Sequence, residues 1–170
     1  MNHADVNAVL RSRKFGTQID HLASLESLGL TPIPEDTKLF SEMDSNGILG
    51  MEPPRHTQIR SLVQKSFMAR QIGSFKGRIE EISHQLIGRI QKEKSTNLLE
   101  SFATPIPITI IAEMLGVPTE MGPQLLAWSH AMVRMYQLGH STLDEKNAVK
   151  ATQEFSAFLK GYIDQRRSEP

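Results

Sequence analysis

A histidine and an arginine lie four residues apart directly after two prolines, in the segment Pro53-Pro54-Arg55-His56-Thr57-Gln58-Ile59-Arg60. Proline fixes φ and lacks an N–H, so it is tolerated at the start of a helix but not deeper. Residues i and i+4 lie on one helix face, so His56 and Arg60 can bind the same anion. The planar donors of arginine suit a carboxylate or a phosphate.

The elements that position this pair are predicted to be helical almost throughout. The predicted helices span about residues 3–12, 54–67, 70–92, 106–115, 119–138 and 143–167. Asn2 caps the first helix and Gly116 ends the fourth. Residues 16–50 are expected to be irregular, apart from a short helix near residues 20–28. Apolar residues recur every three or four positions in the third helix and predict a buried face: Ile72, Phe75, Ile79, Ile82, Leu86 and Ile90.

The wider context of the histidine and arginine is more specific than the pair itself. The segment from Ile48 to Phe67 resembles the sequence that leads into helix C of bacterial cytochrome P-450 haem-thiolate monooxygenases. That family pattern reads D-P-P-x-H-T-x-x-R-x-L-V-x-x-x-F, and Glu52 in place of Asp is the one departure. The resemblance implies that His56 and Arg60 bind the propionates of haem.

Three other segments resemble the same family, in the same order. His3 to Phe15 is similar to helix B, Asn97 to Pro118 to the strand and helix E region, and Phe155 to Arg167 to the end of helix G. The resemblance therefore covers nearly all 170 residues. It implies a mainly α, partial cytochrome P-450 fold from helix B to helix G, with little or no β structure, in a single partial domain over residues 1–170.

Parts of the family's catalytic apparatus have no counterpart in this sequence. The chain contains no cysteine, whereas the family holds the haem iron by a Cys thiolate. No Gly/Ala-rich helix carries an acid–alcohol pair, and the string Glu35-Asp36-Thr37 falls in a Pro-rich segment that is predicted to be a loop. The family's N-terminal strands are missing too. The chain thus resembles an interior piece of a monooxygenase, without a catalytic residue of its own, and is expected to be inactive alone.

The resemblance also implies contacts with substrate and with an electron donor. In the family, the loop before helix C and the end of a later helix cover the substrate pocket. Five residues are therefore pocket candidates: Ile48, Leu49, Val133, Tyr136 and Leu138. The end of the helix predicted over residues 119–138 is rich in Met. From the residues alone, the simpler interpretation is that these side chains pack in the core. The parent reaction would insert one oxygen atom of O₂ into a small organic substrate, with electrons from a ferredoxin- or flavin-type protein.

Charge and hydropathy exclude several other classes of function. Lys and Arg total 19, as do Asp and Glu, so no field of one sign indicates nucleic acid or an anionic membrane. No apolar run approaches ~20 residues and no secretory signal is evident, so a cytoplasmic protein without a membrane span is expected. Glu81 and His84 have the Glu-x-x-His spacing of di-iron bundles, but a second such motif is lacking and no metal site is expected.

A different class of function is the alternative. A non-catalytic helical module, or a degenerate gene product, would bind a partner protein through apolar surface that the rest of a monooxygenase would otherwise cover. Aggregation would favour a broken enzyme, whereas a stable monomer would favour an independent module.

Overall fold

Every regular element is helical in the computed structural model, which describes residues 2–12, 14–16, 18, 23–30 and 32–169, the side chains at positions 66 and 69–71 excepted. No strand occurs in these ranges, which confirms the mainly α prediction. The chain divides into two compact units, residues 1–64 and 65–170. The single partial domain stays a prediction. Among the described residues, no helix is both long and apolar enough to cross a lipid bilayer.

The first unit contains α1 (His3–Arg11), α2 (Lys38–Ser45) and the start of α3 (Arg55–Ser66). Asn2 caps α1 as predicted, because its side-chain oxygen accepts the N–H of Asp5 at 3.0 Å. The Asp5 carboxylate in turn accepts the N–H of Asn2 at 3.4 Å, which completes a capping box. The predicted helix over residues 54–67 is confirmed as α3.

The prediction that residues 16–50 are irregular is wrong in part, because helix α2 lies within them. Glu35–Thr37 forms a 3₁₀ turn that leads into α2, so it is not a loop. Phe40 is the buried residue of this short helix. Part of the short helix expected near residues 20–28 lies outside the described residues, and positions 25–29 form consecutive turns.

The second unit contains α4 (Ala69–Ser74), α5 (Lys76–Ile90), α6 (Pro105–Leu115), α7 (Gly122–Val133) and α8 (Thr142–Ser168). The single helix predicted over residues 70–92 is wrong, because the backbone breaks between α4 and α5 at Phe75, where ψ is −6°. Its predicted buried face is partly wrong as well. Ile82 and Leu86 are buried, whereas Ile72 and Ile79 are 44% and 38% exposed.

The remaining helix ends follow from local sequence. Gly116 ends α6 with φ of 68°, a left-handed conformation that costs glycine little. Ser141 caps α8 through a capping box with Asp144. Residues Leu99–Ala103, which resemble the family's strand region, form a π-helical turn instead. Helices α7 and α8 pack along each other, with Trp128, Ala148 and Ala151 buried.

Candidate functional site

The first turns of α3 carry both predicted propionate ligands. Pro53 and Pro54 stand directly before the helix, and the first backbone bonds run from the N–H of His56 to the Glu52 carbonyl at 3.0 Å and from Gln58 to Pro54 at 3.1 Å. His56 and Arg60 are therefore one turn apart on the same face. His56 is half-buried and Arg60 is exposed.

Both side chains are available to an external anion. Among the described residues, neither the His56 imidazole nor the Arg60 guanidinium has a hydrogen bond or an ion pair. Arg55 differs, since its Nη1 donates to Asn46 Oδ1 at 3.0 Å and so links the start of α3 to the end of α2. An unpaired imidazole and guanidinium fit the carboxylates that haem carries as propionates.

A cavity of about 470 Å³ opens beside His56 in the first unit. It is lined by Val9, Leu10, Ser12, Phe15, Gly16, Ile48, Leu49, Met51, Glu52, Pro53 and His56. Two predicted pocket residues, Ile48 and Leu49, thus share a cavity with one predicted propionate ligand. Leu49 is 88% exposed, so the cavity is open on that side. Arg60 is not among its lining residues.

Glu52 also lines the cavity beside His56, although no role was predicted for it. Its Oε1 accepts the backbone N–H of Gln18 at 3.4 Å. Gln18 also donates from Nε2 to the carbonyl oxygen of Gly50 at 2.9 Å. These contacts join residues more than 30 positions apart. In the sequence, the one sign of a role is that Glu stands where the family pattern has Asp. This difference does not indicate which residues Glu52 contacts.

The other predicted pocket residues lie in the second unit, around the end of α7. Val133 ends α7 and is 48% exposed, while Tyr136 and Leu138 follow and are 61% and 104% exposed. A cavity of about 540 Å³ lies between α7 and α8. Val133 is among its lining residues, together with Trp128 and Ala151, but Tyr136 and Leu138 are not.

Charged groups at the start of α8 fix the turn that follows Leu138. The Asp144 carboxylate accepts the N–H of Ser141 at 2.8 Å and its hydroxyl at 2.7 Å, and lies 3.3 Å from Nε of Arg134. These bonds lower the pKa of Asp144 to about 2, because they stabilise its charged form. The carboxylate is therefore ionised at neutral pH and holds the helix start.

A second ion pair joins α5 to α6. Nη2 of Arg78 lies 2.8 Å from Oε1 of Glu113, and its Nη1 lies 2.7 Å from Glu81 of the same helix. The hydrogen bonds that Arg78 donates to Glu113 and Glu81 raise its pKa above the usual value, because they stabilise the charged guanidinium. Glu81, half of the Glu-x-x-His spacing, thus pairs with an arginine. Within the described ranges, no group of three or more acidic, His or Cys side chains is arranged to hold a metal ion.

The chain is similar to known proteins over most of its length. No family model matches the chain. The polyketide biosynthesis cytochrome P450 PksS of Bacillus subtilis (strain 168) is 30% identical over 166 residues, which cover 98% of this chain and 39% of the relative. Mycinamicin IV hydroxylase/epoxidase of Micromonospora griseorubida is 33% identical over 137 residues, covering 80% of this chain and 33% of that enzyme.

Solved structures agree with these sequence matches. The structure of PksS superposes with a TM-score of 0.75 at 28% identity, over 99% of this chain and 39% of its own. P450BioI, in complex with an acyl carrier protein ligated to hexadec-9Z-enoic acid, gives a TM-score of 0.85 at 23% identity, a likeness of fold alone. The chain spans 39% and 33% of the lengths of the two curated relatives. It belongs to the cytochrome P450 family and has the fold of part of a cytochrome P450.

Proposed function

We propose that this chain supplies the propionate-binding turn and part of the substrate pocket of a haem-thiolate monooxygenase. The observation that carries the proposal is the pairing of His56 and Arg60 on one face of α3, without a polar partner among the described residues. Charge-assisted hydrogen bonds to a carboxylate are about twice as strong as neutral ones. In this role both residues position the cofactor.

The donor set of the chain fits one part of the haem and not another. An imidazole and a guanidinium suit the propionates, which are anionic. The chain contains no cysteine, so the thiolate ligand of the iron would have to come from residues beyond this sequence. When bound, haem would supply the activation of O₂. His56 and Arg60 would hold its carboxylates, and apolar lining residues such as Ile48 and Leu49 would exclude water from the cavity beside His56.

Substrate-contacting residues are proposed in each unit by itself. In the first unit, Ile48 and Leu49 are assigned this role because they line the same cavity as His56. Val133, Tyr136 and Leu138 are assigned by resemblance, and their exposure at the end of α7 leaves them able to contact a ligand. The substrate would be a small organic molecule that receives one oxygen atom, and a ferredoxin- or flavin-type protein would supply electrons.

The proposal is tested by titrating the purified chain with haemin and following the Soret absorbance. The double variant His56→Ala, Arg60→Ala removes both carboxylate donors, so we expect haemin to bind at least about tenfold more weakly. Arg60→Lys keeps the charge but loses the planar fork, and should lie between the double variant and the wild type. The haemin affinity of the double variant should be the same at low and high salt, whereas that of the wild type and of Arg60→Lys should fall as salt rises.

A matched control separates this site from nonspecific binding to apolar surface. The double variant His84→Ala, Arg89→Ala removes the same two residue types from exposed positions on α5, and should bind haemin as the wild type does. Equal affinity of the His56/Arg60 double variant and the wild type would refute the proposed anchor. That result, with a stable monomeric chain, would favour the alternative of a non-catalytic helical module.

A further inference from the structure

Gly16 and Gln18 both contact the segment that leads into α3. The Gln18 side chain donates to the Gly50 carbonyl at 2.9 Å, and the Gln18 N–H points at Glu52 Oε1 at 3.4 Å. The backbone carbonyl of Glu52 also accepts the N–H of His56 at 3.0 Å. Glu52 thus contacts both Gln18 and the first turn of the helix that carries His56.

The Glu52 carboxylate occupies the space where a side chain at position 16 would lie. A Cβ built on Gly16 would be 2.7 Å from Oε1 and 3.2 Å from the carboxyl carbon of Glu52. Real Cβ atoms do not approach another atom so closely, so any side chain here would displace the carboxylate. The space beside Gly16, which does not have a left-handed φ, is therefore taken by the end of the flexible Glu52 side chain.

Both residues also line the cavity beside His56. Gly16 and Glu52 share it with Phe15, Ile48 and Leu49. The contact between Gly16 and Glu52 joins one wall of this cavity, which includes Phe15 and Gly16, to the other, which includes Ile48 and His56. A displacement of the carboxylate would therefore remove one restraint on the first turn of α3 relative to Gly16.

We propose that Glu52 is a positioning residue, which with Gly16 and Gln18 fixes the first turn of α3 and so aligns His56 for its anion. This inference rests on the proposed function, since the anion is the haem propionate. Glutamate is one methylene longer than the Asp of the resembling pattern. The extra length is what carries the carboxylate to Gly16 and Gln18.

A double-mutant cycle on Gly16→Ala and Glu52→Asp tests the contact. Gly16→Ala displaces the carboxylate, and Glu52→Asp withdraws it, so each should weaken haemin binding about threefold, the value of one modest hydrogen bond. The double variant should also lose about threefold rather than the ninefold product, because both changes remove the same contact. A ninefold loss would show that the two residues act independently and would overturn the proposal.

Hydrogen exchange of the Gln18 amide, followed by NMR, gives a readout that does not involve haem. Protection should fall in each single variant and should fall no further in the double variant. Glu52→Gln retains the volume and an acceptor oxygen, and should stay within about twofold of the wild type in haemin affinity. Far-UV circular dichroism confirms that the helices of every variant are retained.

Matched controls and the two readouts separate this proposal from the previous one. Glu26→Asp lies at an exposed turn of the same unit, and Gly77→Ala adds a Cβ in open space, so neither should change haemin affinity. If removal of His56 and Arg60 has no effect on haemin, the proposed function fails while the exchange cycle still tests the contact. If exchange shows coupling but haemin affinity is unchanged in every Glu52 variant, the positioning role is refuted.

Discussion

The carbonyl oxygen of Gly116, at the end of α6, accepts a hydrogen bond from Nη2 of Arg166 at 2.8 Å, fifty residues further along the chain. Tyr162 donates to the same oxygen and also accepts a hydrogen bond from Nε of Arg166 at 3.1 Å. A cation at a helix C-terminus is favourable because the carbonyls there carry partial negative charge. This contact fixes the C-terminal part of α8 against the end of α6.

Gly116→Ala is expected to destabilise the second unit by about 1–2 kcal/mol. The residue has φ of 68°, where a Cβ is strained, and the added methyl group would meet the Arg166 guanidinium. Urea denaturation followed by circular dichroism measures the change in the free energy of unfolding. Gly77→Ala, in the open surface of α5, is the control and should be neutral or stabilising. Equal stability of the Gly116 variant and the wild type would contradict this interpretation.

Glu154→Ala should destabilise the contact between α7 and α8 by about 1–3 kcal/mol, because it leaves the indole N–H of a buried tryptophan without a partner. Trp128 is 7% exposed and its Nε1 donates to Glu154 Oε2 at 2.8 Å. It is the chain's one tryptophan, so its fluorescence reports directly on this bond. Lys150→Ala, which breaks only a 3.8 Å surface pair with Glu154, serves as the control and should cost less than about 1 kcal/mol. A Trp128 emission spectrum unchanged by Glu154→Ala would contradict the prediction.

Asp144 should make stability depend on pH in the acid range. Its pKa is about 2 in the folded chain against an ordinary value of 3.8, so unfolding takes up a proton between these values. The stabilisation is complete above about pH 4 and is lost as the pH falls through 2. We expect the difference in melting temperature between the wild type and Asp144→Asn to be constant above pH 4 and to shrink below it. A difference that does not change down to pH 2 would refute this role of Asp144.

Replacement of Glu113 by Gln should weaken the contact between α5 and α6. Arg78 is 38% exposed and Glu113 24% exposed, so water partly screens the pair and the loss of stability should be small. Glu81→Gln, which removes the pair within one helix, should cost less. Melting curves at low and at 1 M salt measure both, and a Glu113→Gln effect that is unaffected by salt would argue against an ion pair.

Local sequence determined the helix ends that were predicted well. Asn2 and Gly116, which were predicted from the sequence, act through contacts with residues three or four positions away, so their effect is visible in a short window. Ser141 caps α8 over the same short range but was not predicted as a cap. Helix α2 was not predicted, because it has no such capping residue in its local sequence. Thr37 makes no capping bond to it and the helix has only eight residues, so burial of Phe40 is the visible stabilising contact.

Contacts between distant residues could not be predicted. Trp128 and Glu154 are 26 positions apart, and Gln18 and Glu52 are 34 apart, so only the folded chain brings them together. The predicted apolar face of α4 and α5 is likewise only partly buried. Its spacing is regular, but the helix is interrupted at Phe75, and Ile72 lies on the surface. His56 and Arg60 remain candidates that the spacing and the resemblance both select.

Helix α8 has 27 residues and is about 40 Å long at 1.5 Å per residue. Ser141 and Asp144 hold its first turn against Arg134, and Arg166 holds its last turn against Gly116. An isolated helix frays from its ends, where hydrogen bonds are weakest. In α8 the ends are fastened and the middle is packed on α7. The helix should therefore open as one cooperative unit, with amide protection nearly as high in its terminal turns as at its centre.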